Sequence, residues 1–261
     1  MPSQKFSVEL LSRVEDAGLN ASAPPQQRWI DGWLVRFSAG KAKRARCINA
    51  VAQGRLAIQD KLVLCQQVFD AVALPLIVRI TPMSQPRELD QWLEAHGLRS
   101  LEDTRVMVNA DLATLEIEPL PAGVSLQRAG HTAFAQIVGQ MRGSPLSQQQ
   151  AHAQRLELSP VSFEGWALRR AGESAVLACG QTAAEADMVG LYDVFTAHKE
   201  RNNGWARRLC AELLHRARQQ GARVGYLQVD ASNLSARSVY QRLGFSDAYA
   251  YHYRTAIARV D

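Results

Sequence analysis

An α/β fold is predicted by three features of the sequence. Strand-like runs alternate with helically spaced apolar residues through the first 110 positions. Near the C-terminus a strand, a turn rich in Asn and Gly, and a basic amphipathic helix follow one another between residues 188 and 217. The composition, 47% hydrophobic and 21% charged over 261 residues, is that of a globular chain and excludes a disordered one. The length suits two small domains or one large one. With 17 glycines and 10 prolines, collagen-like and low-complexity types are excluded. The longest apolar run, residues 71–78, contains a proline and is far short of the roughly 20 residues that cross a bilayer. Residues 1–18 carry several charges and no apolar h-region, so no signal peptide is expected. Cys47, Cys65, Cys179 and Cys210 form no C-x-x-C pair and sit at no metal-ligand spacing with a histidine. That usage predicts reduced, buried thiols in a cytoplasmic protein and no metal site.

The elements follow in order. Residues 7–15 read as a helix, and the alternating 32–38 as a strand. Residues 59–72 place Leu62, Cys65, Val68, Phe69 and Val72 at helical spacing. Residues 76–80 are apolar and β-branched, a strand, and 87–96 form a helix stopped by Gly97. Residues 105–110 read as a strand. Two prolines and a glycine within 116–123 discourage any helix from running through and predict two domains, 1–118 and 123–261. Beyond them come a strand at 124–128 and helices at 131–141 and 147–158. Antiparallel strands at 164–170 and 174–179 flank a turn at 171–173. After the strand Met188–Thr196, one apolar stripe (Ala206, Cys210, Leu213, Leu214, Ala217) lays a helix on a sheet, and Gly221 ends it. A strand at 224–229, a helix at 233–243 ended by Gly244, and a final strand or hairpin at 248–257 carrying Tyr249, Tyr251 and Tyr253 complete the chain.

The net charge is +5, from 30 Lys and Arg against 25 Asp and Glu, with a pI near 9.2. Its placement is more informative. Lys199, Arg201, Arg207, Arg208, Arg216, Arg218 and Arg223 face only Glu200 and Glu212 in that stretch, and a second basic knot holds Lys41, Lys43, Arg44 and Arg46. Such clusters attract polyanions, either cofactor phosphates or nucleic acid, although charge runs are most often solvated faces.

The strand Met188–Thr196 runs through Arg201, Asn202, Asn203, Gly204 and Trp205 into the basic helix. The first N–H groups of a helix lack internal partners, and its dipole places about half a positive charge there. Gly204 permits close approach of a ligand, Asn202 and Asn203 tolerate positive φ, and Arg201 and Arg207 add direct charge. The mechanics are those of a phosphate cradle, though neither Walker A nor G-x-G-x-x-G is present.

This pair of segments resembles the GNAT superfamily of acyl-CoA-dependent N-acetyltransferases. Its pyrophosphate loop, [RQ]-x-x-G-x-[GA], is met by Arg201, Gly204 and Ala206. Its later helix, N-x-x-A-x-x-x-Y-x-x-x-G-F, is met by Asn233, Ala236, Tyr240, Gly244 and Phe245. The resemblance covers residues 188–254 and extends weakly to Val124. Residues 30–37, followed by the basic knot, also look like the leading domain of a two-domain subgroup. The resemblance implies a mixed, mostly antiparallel sheet flanked by helices, with a smaller N-terminal α/β domain that is a degenerate copy of the fold. It implies that acetyl-CoA is the co-substrate, with the backbone of Val194, Phe195 and Thr196 pairing with its pantetheine arm. The N–H groups of Arg201, Asn202, Asn203, Gly204, Trp205, Ala206 and Arg207 would hold its pyrophosphate. Asn233 and Ala236 would border the arm, Arg242 would meet a phosphate of the adenosine end, and Tyr240 would face the sulfur.

The chemistry suits these residue types. An amine attacks a thioester carbonyl, an N–H near Val194 stabilises the oxyanion, and a phenol of pKa about 10 protonates a thiolate of pKa about 8.5. Tyr240 is otherwise a helix aromatic packed on the sheet, and Asn233 an ordinary N-cap. The general base is open. A lysine-like amine is neutral in only about one molecule in 2,500 at pH 7. Many members of the family carry Glu or His eleven residues before the loop's first basic residue; here that position is Gly190. Tyr192 shares its face, while Asp193 by alternation points the other way and is equally readable as a structural carboxylate paired with arginine. Asp187 and Glu185 are further candidates. The expected activity is direct acetyl transfer to a small-molecule or peptide amine, with no nucleic-acid or membrane partner. Its rivals are a CoA-binding sensor without turnover and a nucleic-acid binder.

Overall fold

The computed structural model describes residues 6–38 and 42–256, so Lys41 of the basic knot and Ile257 of the last expected strand lie outside the described residues. The first half runs α1 (Val8–Ala21), β1 (Gln27–Ile30), β2 (Trp33–Arg36), β3 (Ile48–Asn49), α2 (Ile58–Asp70), β4 (Val78–Ile80), α3 (Leu89–Ala95) and β5 (Arg99–Asn109). The second runs β6 (Val124–Ala129), α4 (His131–Arg142), α5 (Leu146–Glu157), β7 (Ser162–Arg170), β8 (Val176–Glu185), β9 (Met188–Thr196), α6 (Trp205–Gln219), β10 (Val224–Asp230), α7 (Leu234–Arg242) and β11 (Ser246–Thr255).

The eleven strands of the described residues join one mixed sheet in the order β1-β2-β3-β4-β11-β5-β10-β9-β8-β7-β6. Pairing is antiparallel except at β3–β4 and β9–β10. A repeat hidden from the residue identities shows here. The series β3–α2–β4–α3–β5 recurs as β9–α6–β10–α7–β11, and the third strand of each series is exchanged: β5 pairs with β10, β11 pairs with β4, and the two pair with each other. The proline-rich segment at 116–123 therefore does not divide the sheet into 1–118 and 123–261. It only carries the chain from β5 out to the far edge at β6, while β5 itself has both edges satisfied by strands from the end of the chain.

Local chemistry explains where elements stop. The Ser7 side chain caps α1 by accepting from the Leu10 amide at 3.1 Å. The helix continues past residue 15 to Ala21, and Gly18 lies within it because a Cβ there would stand 2.8 Å from Gln228 Nε2. β8 runs on to Glu185, well past 179, because its middle is buried on both faces and shows no alternation. α6 buries Leu209, Cys210, Leu213, Leu214 and Ala217 against β8 and β9, where each leucine contributes roughly 1.5–3 kcal/mol of burial. All four cysteines are buried and unpaired. A buried ion pair lies within the first half, where Arg79 of β4 grips Glu15 of α1, and Tyr249 of β11 ties the second half to it by donating to Glu15 at 2.6 Å. No helix among the described residues is long and apolar enough to cross a membrane.

Candidate functional site

The site begins where two parallel strands part. β9 and β10 pair only as far as Leu191 opposite Leu227. Beyond that point β10 stays on β5, while β9 stays on β8 through a bulge. Cys179 faces Phe195 and Gln181 faces Tyr192, so Asp193 and Val194 share the one place opposite Gly180. Residues 192–196 thus present an edge that no strand of the sheet occupies. A cavity of about 370 Å³ fills the split, with Tyr192, Asp193 and Val194 on one wall, Gln228 and Val229 on the other. Asn233, Ala236 and Tyr240 of α7 complete that side.

The loop after β9 is the second component. Asn202 (φ 65°) and Gly204 (φ 76°) are both left-handed, as their residue types suggest, while Asn203 is not among the positive-φ residues. Gly204 is the N-cap of α6, and the first helical bond is the Arg208 amide donating to the Gly204 carbonyl at 3.1 Å. Among the described residues the N–H groups of 202–207 find no acceptor, so six donors and a helix dipole lie at one turn whose residues 202–204 are exposed. Glu200 pins this turn: it accepts two bonds from Arg170, each 3.0 Å, and one from Trp205 Nε1 at 3.0 Å. Arg170 beside it holds its carboxyl below the usual range. The Arg201 guanidinium lies over Phe195 at 5.7 Å. Arg207 does not offer its side chain to the turn as expected; it donates to Glu118 of the linker at 2.7 Å. Arg242 lines a separate cavity of about 400 Å³, with Glu118, Arg207 and Arg208, between the start of α6 and the end of α7.

The α7 residues are placed as follows. Asn233 is the N-cap, accepting from the Ala236 amide at 3.1 Å. Tyr240 is buried, meets Phe245 edge-on at 6.2 Å between centroids, and lines the cavity. Its hydroxyl makes no hydrogen bond among the described residues, and burial raises its pKa.

The candidate bases are all engaged. Asp193 is turned by the bulge, at φ 50°, so that it lines the same cavity as Tyr192; strict alternation had it pointing away. Its carboxylate accepts from Gln181 Nε2 at 2.6 Å and Arg142 Nη1 at 2.9 Å and lies 3.3 Å from His152 Nε2. Burial pushes its pKa up, but the bond to His152 and the charge of Arg142 outweigh that and leave it depressed. Such a carboxylate is a structural ion-pair partner and a poor base. Asp187 is gripped by Arg13, and Glu185 accepts from Asn20 at 2.8 Å, both against α1. Tyr192 donates to Tyr226 at 3.2 Å, and burial raises its pKa. The two rings explain Gly190: a Cβ there would stand 2.5 Å from Tyr192 and 2.6 Å from Tyr226.

Sequence reasoning missed three arginines on this cavity: Arg44 from the basic knot, Arg142 from α4 and Arg155 from α5. The knot flagged Arg44 as charge without a place, and nothing marked Arg155. Of the rest of the knot, Lys43 pairs with Glu102 at 2.7 Å and Arg46 is buried. The repeat supplies an internal comparison. At the start of α2, the turn equivalent to 201–206 is closed by the chain's own carboxylate. Asp31 accepts from the Arg55 and Leu56 amides, each at 2.8 Å, and lies 3.2 Å from Lys61 Nζ. A Cβ on Gly54 would stand 2.1 Å from the Asp31 carbonyl oxygen. The second-half turn carries no such plug among the described residues.

Comparison with known proteins bears on the family and the fold. Residues 11–254 match the family described as "Probable histone acetyltransferase Rv0428c C-terminal". The chain is 30% identical over 242 residues to "Uncharacterized N-acetyltransferase YobR" of Bacillus subtilis (strain 168), covering 87% of this chain and 91% of that one. Among solved structures, a GCN5-related N-acetyltransferase from Kribbella flavida superposes with a TM-score of 0.68 at 16% identity, over 95% of this chain and 96% of that one. A tandem GNAT protein from the clavulanic acid biosynthesis pathway gives 0.63 at 13% identity, over 76% and 69%. At those identities the structural likeness speaks for the fold.

Proposed function

The chain belongs to that acetyltransferase family, within the GNAT superfamily of N-acetyltransferases, and on this premise we propose that it moves the acetyl group of acetyl-CoA directly onto a primary amine within a ternary complex. One observation carries the reading: the β9–β10 split opens onto the same sheet end as a left-handed turn with six amide donors that meet no acceptor among the described residues. A diphosphate fits that turn, because Gly204 adds no side chain to it and the plug seen at Asp31 in the first half has no counterpart among the described residues. The amides of 202–207 hold the pyrophosphate, and the free edge at Val194, Phe195 and Thr196 takes the pantetheine arm as an added strand. Asn233 and Ala236 border the arm, and Arg242, beside Arg208, faces the adenosine end. Bound there, acetyl-CoA supplies an activated acyl carbon and a thiol leaving group.

The chain's own groups then act at defined atoms. The Val194 amide, turned by the bulge, is the donor to the carbonyl oxygen as charge develops on it. Tyr240 is the hydroxyl aimed at the sulfur. In water its proton transfer to a thiolate is uphill by about 2 kcal/mol. Burial penalises the thiolate as it does the phenolate, so the Tyr240 bond gains strength as the sulfur becomes charged. Among the described residues no group lining the cavity is a free base, so the amine gives its proton to water and must arrive neutral. Asp193 serves as a positioning residue, fixing the bulge to α4 through Arg142 and to α5 through His152.

Steady release of CoA thiol from acetyl-CoA in the presence of an amine panel tests the reading. The engaged Asp193 and the glycine at 190 favour one alternative, an acyl-CoA-binding protein without turnover. Tight acetyl-CoA binding with no thiol release above background for any amine establishes that alternative instead.

A further inference from the structure

The cavity holds more positive charge than its carboxylates balance. Asp193 is matched by Arg142 at 2.9 Å and also accepts from Gln181 Nε2 at 2.6 Å. Asp230 turns back on its own loop, accepting from Ser232 Oγ at 2.5 Å and from the Ser232 amide at 2.8 Å. Arg44 and Arg155 remain. Neither has a carboxylate within 4.0 Å among the described residues, which is unusual for half-buried guanidinium groups. Arg44 donates to two neutral oxygens, Gln228 Oε1 and Tyr251 Oη, at 2.5 and 3.4 Å. Arg155 makes no hydrogen bond among the described residues; its guanidinium lies over the Phe163 ring at 6.0 Å. The two cations sense each other. Burial lowers the pKa of Arg155, Asp193 acts in the opposite sense, and the charge of Arg44 lowers it further.

Two guanidinium groups from distant parts of the chain, a turn before β3 and the last turn of α5, thus face one cavity with no carboxylate within 4.0 Å of either among the described residues. Arginine presents a planar fork of donors matched to a carboxylate. No residue of the pyrophosphate turn 201–207 lines this cavity, and a pantetheine arm is uncharged, so acetyl-CoA does not supply the missing anion. We infer that the acceptor amine carries a carboxylate, seated by Arg155 and Arg44, as in a free amino acid or the C-terminal end of a short peptide. This rests on the acetyl-CoA reading above and names its acceptor class. A polycationic acceptor meets the same two charges as repulsion.

The test uses the full chain, acetyl-CoA, and matched acceptor pairs: the twenty amino acids and a set of dipeptides, each beside its own carboxamide, with spermidine and a lysine-rich peptide added. CoA thiol release gives kcat/KM, and thermal unfolding with acetyl-CoA reports the cofactor site separately. The inference expects at least one carboxylate acceptor to exceed its amide by about 10- to 100-fold. Arg155→Gln should bring that pair to within about threefold, and Arg155→Lys should restore part of the difference. Equal or better turnover of the amides overturns it, as does preference for spermidine or the lysine-rich peptide. A rise in Tm with acetyl-CoA but no turnover of any acceptor also overturns it, and leaves the cofactor site standing. Failure of acetyl-CoA to shift Tm at all removes both.

Discussion

Replacing Gly204 with valine isolates the turn on which cofactor binding rests. Gly204 sits at φ 76° and ψ 8°, where a β-branched residue is strained by about 1–2 kcal/mol. The added Cβ would also stand 3.0 Å from Arg208 Nη1. That atom is the movable tip of a long side chain, so the backbone cost decides the outcome. Residues 201–204 are all exposed, so the turn relaxes without opening the core. The strain then appears when the turn is re-formed around the pyrophosphate. Apparent Kd for acetyl-CoA should rise about 5- to 30-fold, the equivalent of 1–2 kcal/mol. Titration calorimetry measures this, with thermal unfolding of the free protein as the control for folding. Gly204→Asn, a residue that tolerates the left-handed region, should stay much closer to wild type. An acetyl-CoA Kd within twofold of wild type for the valine variant would refute the assignment of this turn to the diphosphate.

Three further outcomes follow from the same structure. Tyr240→Phe should lower kcat by about 10²- to 10⁴-fold, with acetyl-CoA affinity nearly unchanged; stopped-flow thiol release and calorimetry separate the two, and wild-type turnover removes the hydroxyl from the reaction. With Asp193 depressed and held in an ion pair, log(kcat/KM) should climb with unit slope up to the acceptor amine's own pKa; a plateau starting near pH 6–7 would reveal an enzyme base. Glu15→Ala leaves the Arg79 charge buried without its partner and should cost about 3–5 kcal/mol in chemical denaturation. Burial raises the Glu15 pKa, but Arg79 more than offsets it, so the folded value lies below the unfolded one. The pair's contribution is therefore present above the unfolded pKa and fades as pH falls through the folded one, and a Glu15→Ala difference that persists undiminished in strong acid contradicts this account.

Much of the site was legible because its residues are special in kind. Gly204 and Asn202 announce a left-handed turn by their freedom at positive φ, and the Ala206-to-Ala217 stripe announces a helix laid on a sheet. Asn233 and Tyr240 were marked by the resemblance of their helix to the family's motif, since spacing by itself reads them as an N-cap and a packed aromatic. What escaped was whatever depends on pairing. Exchange of β5 and β11 leaves no local signature, since a strand looks the same whichever strand lies beside it. The two-residue β3 and four-residue β1 are too short for alternation to register. The bulge that turns Asp193 inward is a one-residue slip, which reverses any face assigned by counting. Arg155 is one arginine in a glutamine-rich helix, and only the fold brings it beside Arg44.

Amide hydrogen exchange with and without acetyl-CoA bears on the central claim most directly. The account predicts new protection at residues 192–196 and 202–207, and none at the equivalent turn in the first half, 53–58, where Asp31 already occupies the amides. Protection absent from 202–207, or appearing at 53–58 instead, would contradict it.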